Sequence, residues 1–282
     1  MDKSLNQLIT DSKNFLSLKK FDEALKNLNL IVIKDPNNIS ALSTISDIYV
    51  LKKNYDEAII TFDKIIKINP KLSNIHNNKG YCLLNKGSFE NALKSFEEAI
   101  RHNYNYPEAH NNCGLSLIKI GKKIEAKQYF MNAIKIKKDY VQAYNNLTAI
   151  YLELNNLDEA LETCIQSIKV NSKNIEGFNL AGLIHKRKNE ISLSLENFSQ
   201  ALKIKSNYFP SLINIAKIYQ KLNDYDNANK YYIKALDVDS ENVNALSSFL
   251  HFKLEFIDYT NIKSLKKKLF SLINNDENKL IQ

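Results

Sequence analysis

Residues 39–72 read ISALSTISDIYVLKKNYDEAIITFDKIIKINPKL, and residues 73–106 read SNIHNNKGYCLLNKGSFENALKSFEEAIRHNYNY. Aligned, the two stretches put Ala58 over Ala92, Phe62 over Phe96 and Ser46 over Gly80. The same interval runs through the chain: Ala24, Ala58, Ala92, Ala126, Ala160 and Ala228 share one grid of 34 residues, and Ser194 occupies its remaining point. A fixed period of this length marks a repeat architecture, in which each repeat is one supersecondary unit.

Two further columns keep the register. The eighth position holds Ser12, Ser46, Gly80, Gly114, Thr148, Gly182 and Ala216, all small. The twenty-fourth holds Leu28, Phe62, Phe96, Phe130, Cys164, Phe198 and Tyr232, nearly all bulky. Between the small column and the alanine column lies a turn, marked by Gly87, Gly121 or pairs such as Asn54-Tyr55 and Asn155-Asn156. Asp22, Asp56, Glu90, Asp158 and Asp226 follow it, where negative charge suits a helix N-terminus. Each repeat therefore predicts two antiparallel helices, A and B. Small residues let the two backbones approach, and the aromatic at position twenty-four is expected to fill space against the next repeat.

One hairpin cannot bury its apolar face alone, whereas a stack can. The expected fold is all-α: a right-handed superhelical solenoid of seven repeats at 5–38, 39–72, 73–106, 107–140, 141–174, 175–208 and 209–242, followed by capping helices over 243–282. Pro36, Pro70, Pro107 and Pro210 all fall at repeat boundaries, where they do not break a helix. Val243–Phe256 keeps the spacing of a helix A. Asn261–Ile273 places Ile262, Leu265, Leu269, Leu272 and Ile273 on one stripe, with Lys266, Lys267 and Lys268 largely off it, as a cap requires. The polar stretch from Asn274 to Gln282 is expected to fray.

Leu42, Ile45, Ser46, Tyr49, Ala58, Phe62 and Pro70 of the second repeat, and Tyr144, Leu147, Thr148, Tyr151 and Ala160 of the fifth, resemble the tetratricopeptide repeat pattern W-x-x-L-G-x-x-Y, A-x-x-x-F, P. Asp11 and Ser12 in the first repeat and Ser194 in the sixth depart from it. The resemblance implies that helix A lines a concave surface, with positions two, five, six, nine, twelve and thirteen pointing into it. Position six reads Thr10, Thr44, Asn78, Asn112, Asn146, Leu180 and Asn214, and position five adds Asn77, Asn111, Asn145 and Asn179. A carboxamide carries a donor and an acceptor, so a regular row of them can hold a peptide backbone without reading its side chains. Lys119, Lys186, Arg187, Lys217 and Lys221 also fall at groove positions. They would favour an acidic segment or a C-terminal carboxylate, a field that Glu108, Glu153 and Glu176 on the same face would dilute.

The asparagine row is similar to the repeat region of O-linked N-acetylglucosamine transferases, which implies peptide-holding asparagines. Phe256-Ile257-Asp258-Tyr259-Thr260 looks like the junction segment of that family, with Ile257 for its cysteine and Tyr259 for its tryptophan. The sequence given stops where the catalytic lobes of that family would begin, which suggests a recognition arm.

Composition narrows the classes further. Apolar residues make up 44% and charged residues 25% of 282, within the range of globular proteins. With 6 Gly, 4 Pro and no G-x-G-x-x-G or Walker motif, a phosphate-cradling loop is disfavoured. Cys82, Cys113 and Cys164 are far apart and lack C-x-x-C pairing, and no histidine pair forms H-E-x-x-H, so neither a metal nor a cofactor is expected. The net charge of +8 is spread over the repeats, which disfavours nucleic acid as partner. No apolar run reaches the roughly 18 residues of a membrane span and no signal peptide opens the chain, so a cytoplasmic location is expected. The reading is a non-enzymatic protein-interaction scaffold that holds an extended peptide. The alternative is a substrate-recognition accessory subunit of a separately encoded glycosyltransferase-type enzyme.

Overall fold

The computed structural model describes residues 4–258 and 260–280, with side chains as far as Asn274. Among them there are sixteen α-helices and no strand. In chain order, α1 (Leu5–Ser17), α3 (Ile39–Leu51), α5 (Ser73–Asn85), α7 (Pro107–Ile120), α9 (Val141–Glu153), α11 (Ile175–Arg187) and α13 (Phe209–Lys221) are the A helices. Each is followed by its B helix: α2 (Phe21–Lys34), α4 (Tyr55–Ile68), α6 (Phe89–His102), α8 (Lys123–Ile136), α10 (Leu157–Val170), α12 (Ile191–Ile204) and α14 (Tyr225–Val238). The chain ends in α15 (Val243–Glu255) and α16 (Ile262–Leu280). It divides into two compact bodies, one up to Ala143 and one from Tyr144.

The turn from A to B is one motif used eight times. Its fifteenth position, Lys19, Lys53, Gly87, Gly121, Asn155, Asn189, Asn223 or Ile257, has a left-handed φ of 56° to 88°. The next residue's amide then donates to the carbonyl five residues back, as in Asn54 to Tyr49 at 2.8 Å and Lys122 to Leu117 at 2.8 Å. That closure satisfies carbonyls the helix end would leave open. Only two of the eight positions hold glycine, and Ile257, at φ 57°, has a branched side chain where the left-handed region costs about 1–2 kcal/mol.

The columns are the core. Ala24, Ala58, Ala92, Ala126, Ala160 and Ala228 are fully buried, as is Ser194, whose hydroxyl donates to the Gly182 carbonyl at 2.7 Å and so carries no unsatisfied group. Phe62, Phe96, Phe130 and Phe198 are buried as well. The aromatic packs first across its own hairpin, not only against the next repeat. A Cβ placed on Gly114 would stand 2.5 Å from the Phe130 ring, and one on Gly80 2.6 Å from Phe96. In the first body these rings join Ile65, Ile75 and Cys113; in the second, Tyr232 packs with Phe249 and Phe252 of α15.

Leu265 packs on the Tyr232 cluster and Ile262 is buried, while Lys266, Lys267 and Lys268 are exposed. Helix α16 continues to Leu280. The segment Asn274–Leu280 contains neither proline nor glycine, so nothing in it stops a helix.

Candidate functional site

Position six of helix A is mixed: Leu180 is buried in the core of the second body, while its asparagines are partly accessible. In the first body, Asn78 and Asn112 are half-buried; in the second, Asn146 and Asn214 are. Internal bonds orient two of these amides. Asn112 Nδ2 donates to Asn77 Oδ1 at 3.1 Å, and Asn214 Nδ2 donates to the Pro210 carbonyl at 2.8 Å, which directs each Oδ1 away from its bonded partner. Asn78 Oδ1 accepts a long 3.5 Å contact from Asn77.

Position five corrects the sequence reading. Asn77, Asn111, Asn145 and Asn179 are each no more than 8% exposed, so their carboxamides belong to the packing and not to a ligand surface. Asn77 takes the Asn112 amide of the next repeat, and Asn179 Oδ1 accepts from Ser211 Oγ at 3.1 Å. Asn145 is the most committed. Its Oδ1 accepts from Ser167 Oγ at 2.7 Å and Asn174 Nδ2 at 2.8 Å, and its Nδ2 donates to Asn174 Oδ1 at 3.2 Å and Glu176 Oε2 at 3.1 Å. The physical reason is the helical period. Position five lies one turn before position eight, the small buried column, so both enter the seam.

The five cations separate. Lys119 is exposed on α7 of the first body. Lys186, Arg187, Lys217 and Lys221 gather at a cleft of about 460 Å3 in the second body, together with Leu152, Leu183, Ile191, Ile218 and Leu222. The aliphatic lining escaped the sequence reading. Its signal was present, since Leu152 and Leu183 occupy groove positions twelve and nine, where a polar residue would be expected on a solvated face. Burial, with the charges of Lys217 and Lys221 beside it, pulls the Lys186 ammonium below its ordinary pKa.

The three cysteines and two of the histidines are turned inward. Burial pushes the Cys82 thiol up to about 11 and the Cys164 thiol up to about 12, and raises Cys113 too, so these sulfurs stay protonated near neutrality. His76 and His110 point Nε2 at the carbonyls of Pro70 and Tyr104, at 2.8 and 2.9 Å. Among the described residues no group of three His, Cys, Asp or Glu could hold a metal ion, and no helix is long and apolar enough to cross a membrane. Tyr259, part of the junction-like segment, lies outside the described residues.

A tetratricopeptide repeat family model matches residues 39–72, 107–140, 141–174 and 209–242, a second matches 61–94, and a TPR repeat model matches 80–121. Together they cover more than half of the chain. It belongs to the tetratricopeptide repeat family. No curated protein matches it significantly. Solved structures do. A tetratricopeptide repeat protein from Parabacteroides merdae is 16% identical with a TM-score of 0.69, over 95% of this chain and 98% of that one. MamA is 20% identical with a TM-score of 0.55, over 57% of this chain and 95% of its own. YrrB, described as a TPR protein with an unusual peptide-binding site, is 17% identical with a TM-score of 0.55, over 66% and 95%. At these identities the likeness is one of fold, so what this tetratricopeptide repeat chain binds has to be argued from its own side chains.

Proposed function

We propose that the protein is a non-catalytic interaction scaffold whose helix-A faces hold extended segments of partner proteins. The observation that supports this reading is the recurrence of a half-buried asparagine at position six, Asn78 and Asn112 in one body and Asn146 and Asn214 in the other, with the Asn112 and Asn214 amides held by internal bonds. A carboxamide already held by one bond loses little side-chain entropy on meeting a peptide amide, which favours binding. That a peptide-binding protein, YrrB, shares the fold supports the class of ligand. The arrangement grips backbone and not side chains, so it tolerates varied sequences.

The test is one substitution in each body, Asn78→Ala and Asn214→Ala, assayed by titration against the tightest peptide from an immobilised library of unstructured peptides. Asn112 is kept, because its amide also satisfies buried Asn77. Two lost hydrogen bonds at about 1 kcal/mol each predict a roughly tenfold or greater loss of affinity. The melting temperature should move little, because Asn78 takes only a long 3.5 Å contact from the Asn77 amide and the bond of Asn214 lies within its own helix. Unchanged affinity in the double variant would count against the proposal.

A further inference from the structure

The cleft of the second body combines two features that a merely solvated face does not. Leu152 and Ile218 are buried at its base with Leu183 half-buried beside them, and four cations surround it with no carboxylate among the lining residues. Part of the charge has a local reason. Lys186 and Arg187 lie in the last turn of α11 and Lys221 in the last turn of α13, where a cation suits the carbonyl end of a helix. Arg187 fulfils that role, since its Nη1 donates to the Leu152 carbonyl near the end of α9.

Lys186 and Lys221 share only the helix-end position, with no carbonyl bond like that of Arg187, and Lys217 lacks even that. Lys217 sits a full turn before the end of α13. Lys186 loses water by burial and is repelled by Lys217 and Lys221, with which it lines the cleft. Glu190 is engaged with His185 Nδ1 at 2.5 Å, Asp158 with Lys188 at 2.7 Å, and Glu255 with the Gln220 amide. A negative ligand would relieve the repulsion, and a bulky apolar group would cover the aliphatic base. A volume of about 460 Å3 falls within the roughly 300–1,000 Å3 usual for ligand sites and is ample for one large side chain.

We propose that this cleft docks an acidic peptide segment bearing one large apolar anchor, the anchor seated on Leu152, Leu183 and Ile218 and the flanking carboxylates held by Lys186, Lys217 and Lys221. The inference rests on the peptide-binding reading and narrows the ligand class for the second body.

The test is fluorescence anisotropy with the full chain and three labelled peptides: Ser-Asp-Glu-Leu-Glu-Asp-Ser, its Asn/Gln counterpart, and its counterpart with Gly in place of Leu. The acidic leucine peptide should bind at least about tenfold more tightly than either of the others. The triple variant Lys186→Gln, Lys217→Gln, Lys221→Gln should lose that preference while keeping its hold on the amide counterpart. A control carrying Lys266→Gln, Lys267→Gln and Lys268→Gln on α16 should behave as the parent. If the triple variant does not fold, Lys217→Gln alone, an exposed position, should still weaken the acidic peptide about threefold. Equal affinity for acidic and amide peptides, equal affinity for leucine and glycine peptides, or an equal loss in the α16 control overturns the inference and leaves the asparagine reading standing. Failure of all three peptides to bind overturns both.

Discussion

His110 sits on α7, 1% exposed, with Nε2 held 2.9 Å from the Tyr104 carbonyl. A carbonyl accepts only, so the proton is on Nε2, and Nδ1 is left buried without a partner. Burial lowers the pKa of the ring, and the bond to Tyr104 opposes that shift only in part. The sign follows from linkage. Below about 6.5 the unfolded histidine binds a proton that the folded one resists, so stability falls as pH drops through that range and is whole above it. The melting temperature should therefore decrease between pH 7.5 and pH 5. His110→Gln, which keeps an amide donor and cannot titrate there, should show a smaller decrease even if it is less stable overall. An undiminished pH dependence in the variant would place the titrating group elsewhere.

At the level of elements, Asn145 ties three helices of the second body together, since its partners Ser167, Asn174 and Glu176 belong to α10, the loop before α11 and α11 itself. Asn174 Oδ1 also caps α11 by accepting from the Gly177 amide at 3.1 Å. Removing the amide leaves buried donors and acceptors short of partners, so Asn145→Ala should cost about 1–3 kcal/mol in urea denaturation. Asn214→Ala, with an intrahelical bond at a half-exposed position, is the control, and a similar loss in both would deny Asn145 its structural role. The pair also shows what could be read from the sequence. The helices, the buried alanines and the small-on-aromatic contacts follow from period and residue size, which are local quantities. Asn78 and Asn77 are the same residue type in adjacent positions, and only the angle between them, about 100° around the helix, sends one outward and one into the seam. That distinction was available from the small column at position eight. The aliphatic base of the cleft was harder to see, because Leu152, Leu183 and Ile218 come from three repeats and become one surface only after stacking.

For the whole molecule, the consequence of a repeat architecture is that each hairpin answers mainly to its neighbours. Packing supports this picture: α7 lies on α8 within its hairpin, while its Cys113 joins Phe96 of the preceding one. A perturbation buried in one hairpin should therefore fade along the array and not melt the chain as a unit, which makes a single unfolding free energy a poor descriptor. Gly114→Ala is a clean probe. Its new Cβ would lie 2.5 Å from the buried Phe130 ring, so ring or backbone must shift, at a cost of about 1–3 kcal/mol. Hydrogen exchange should show protection lost most in α7 and α8, less in α5 and α6, and least in α13 and α14, because contact with the altered seam falls away in that order. Phe130→Leu in the same chain should return part of the loss by vacating the space the methyl group needs. Uniform loss of protection across all helices would mean that the array unfolds as one cooperative block, and the nearest-neighbour account of its stability would have to be abandoned.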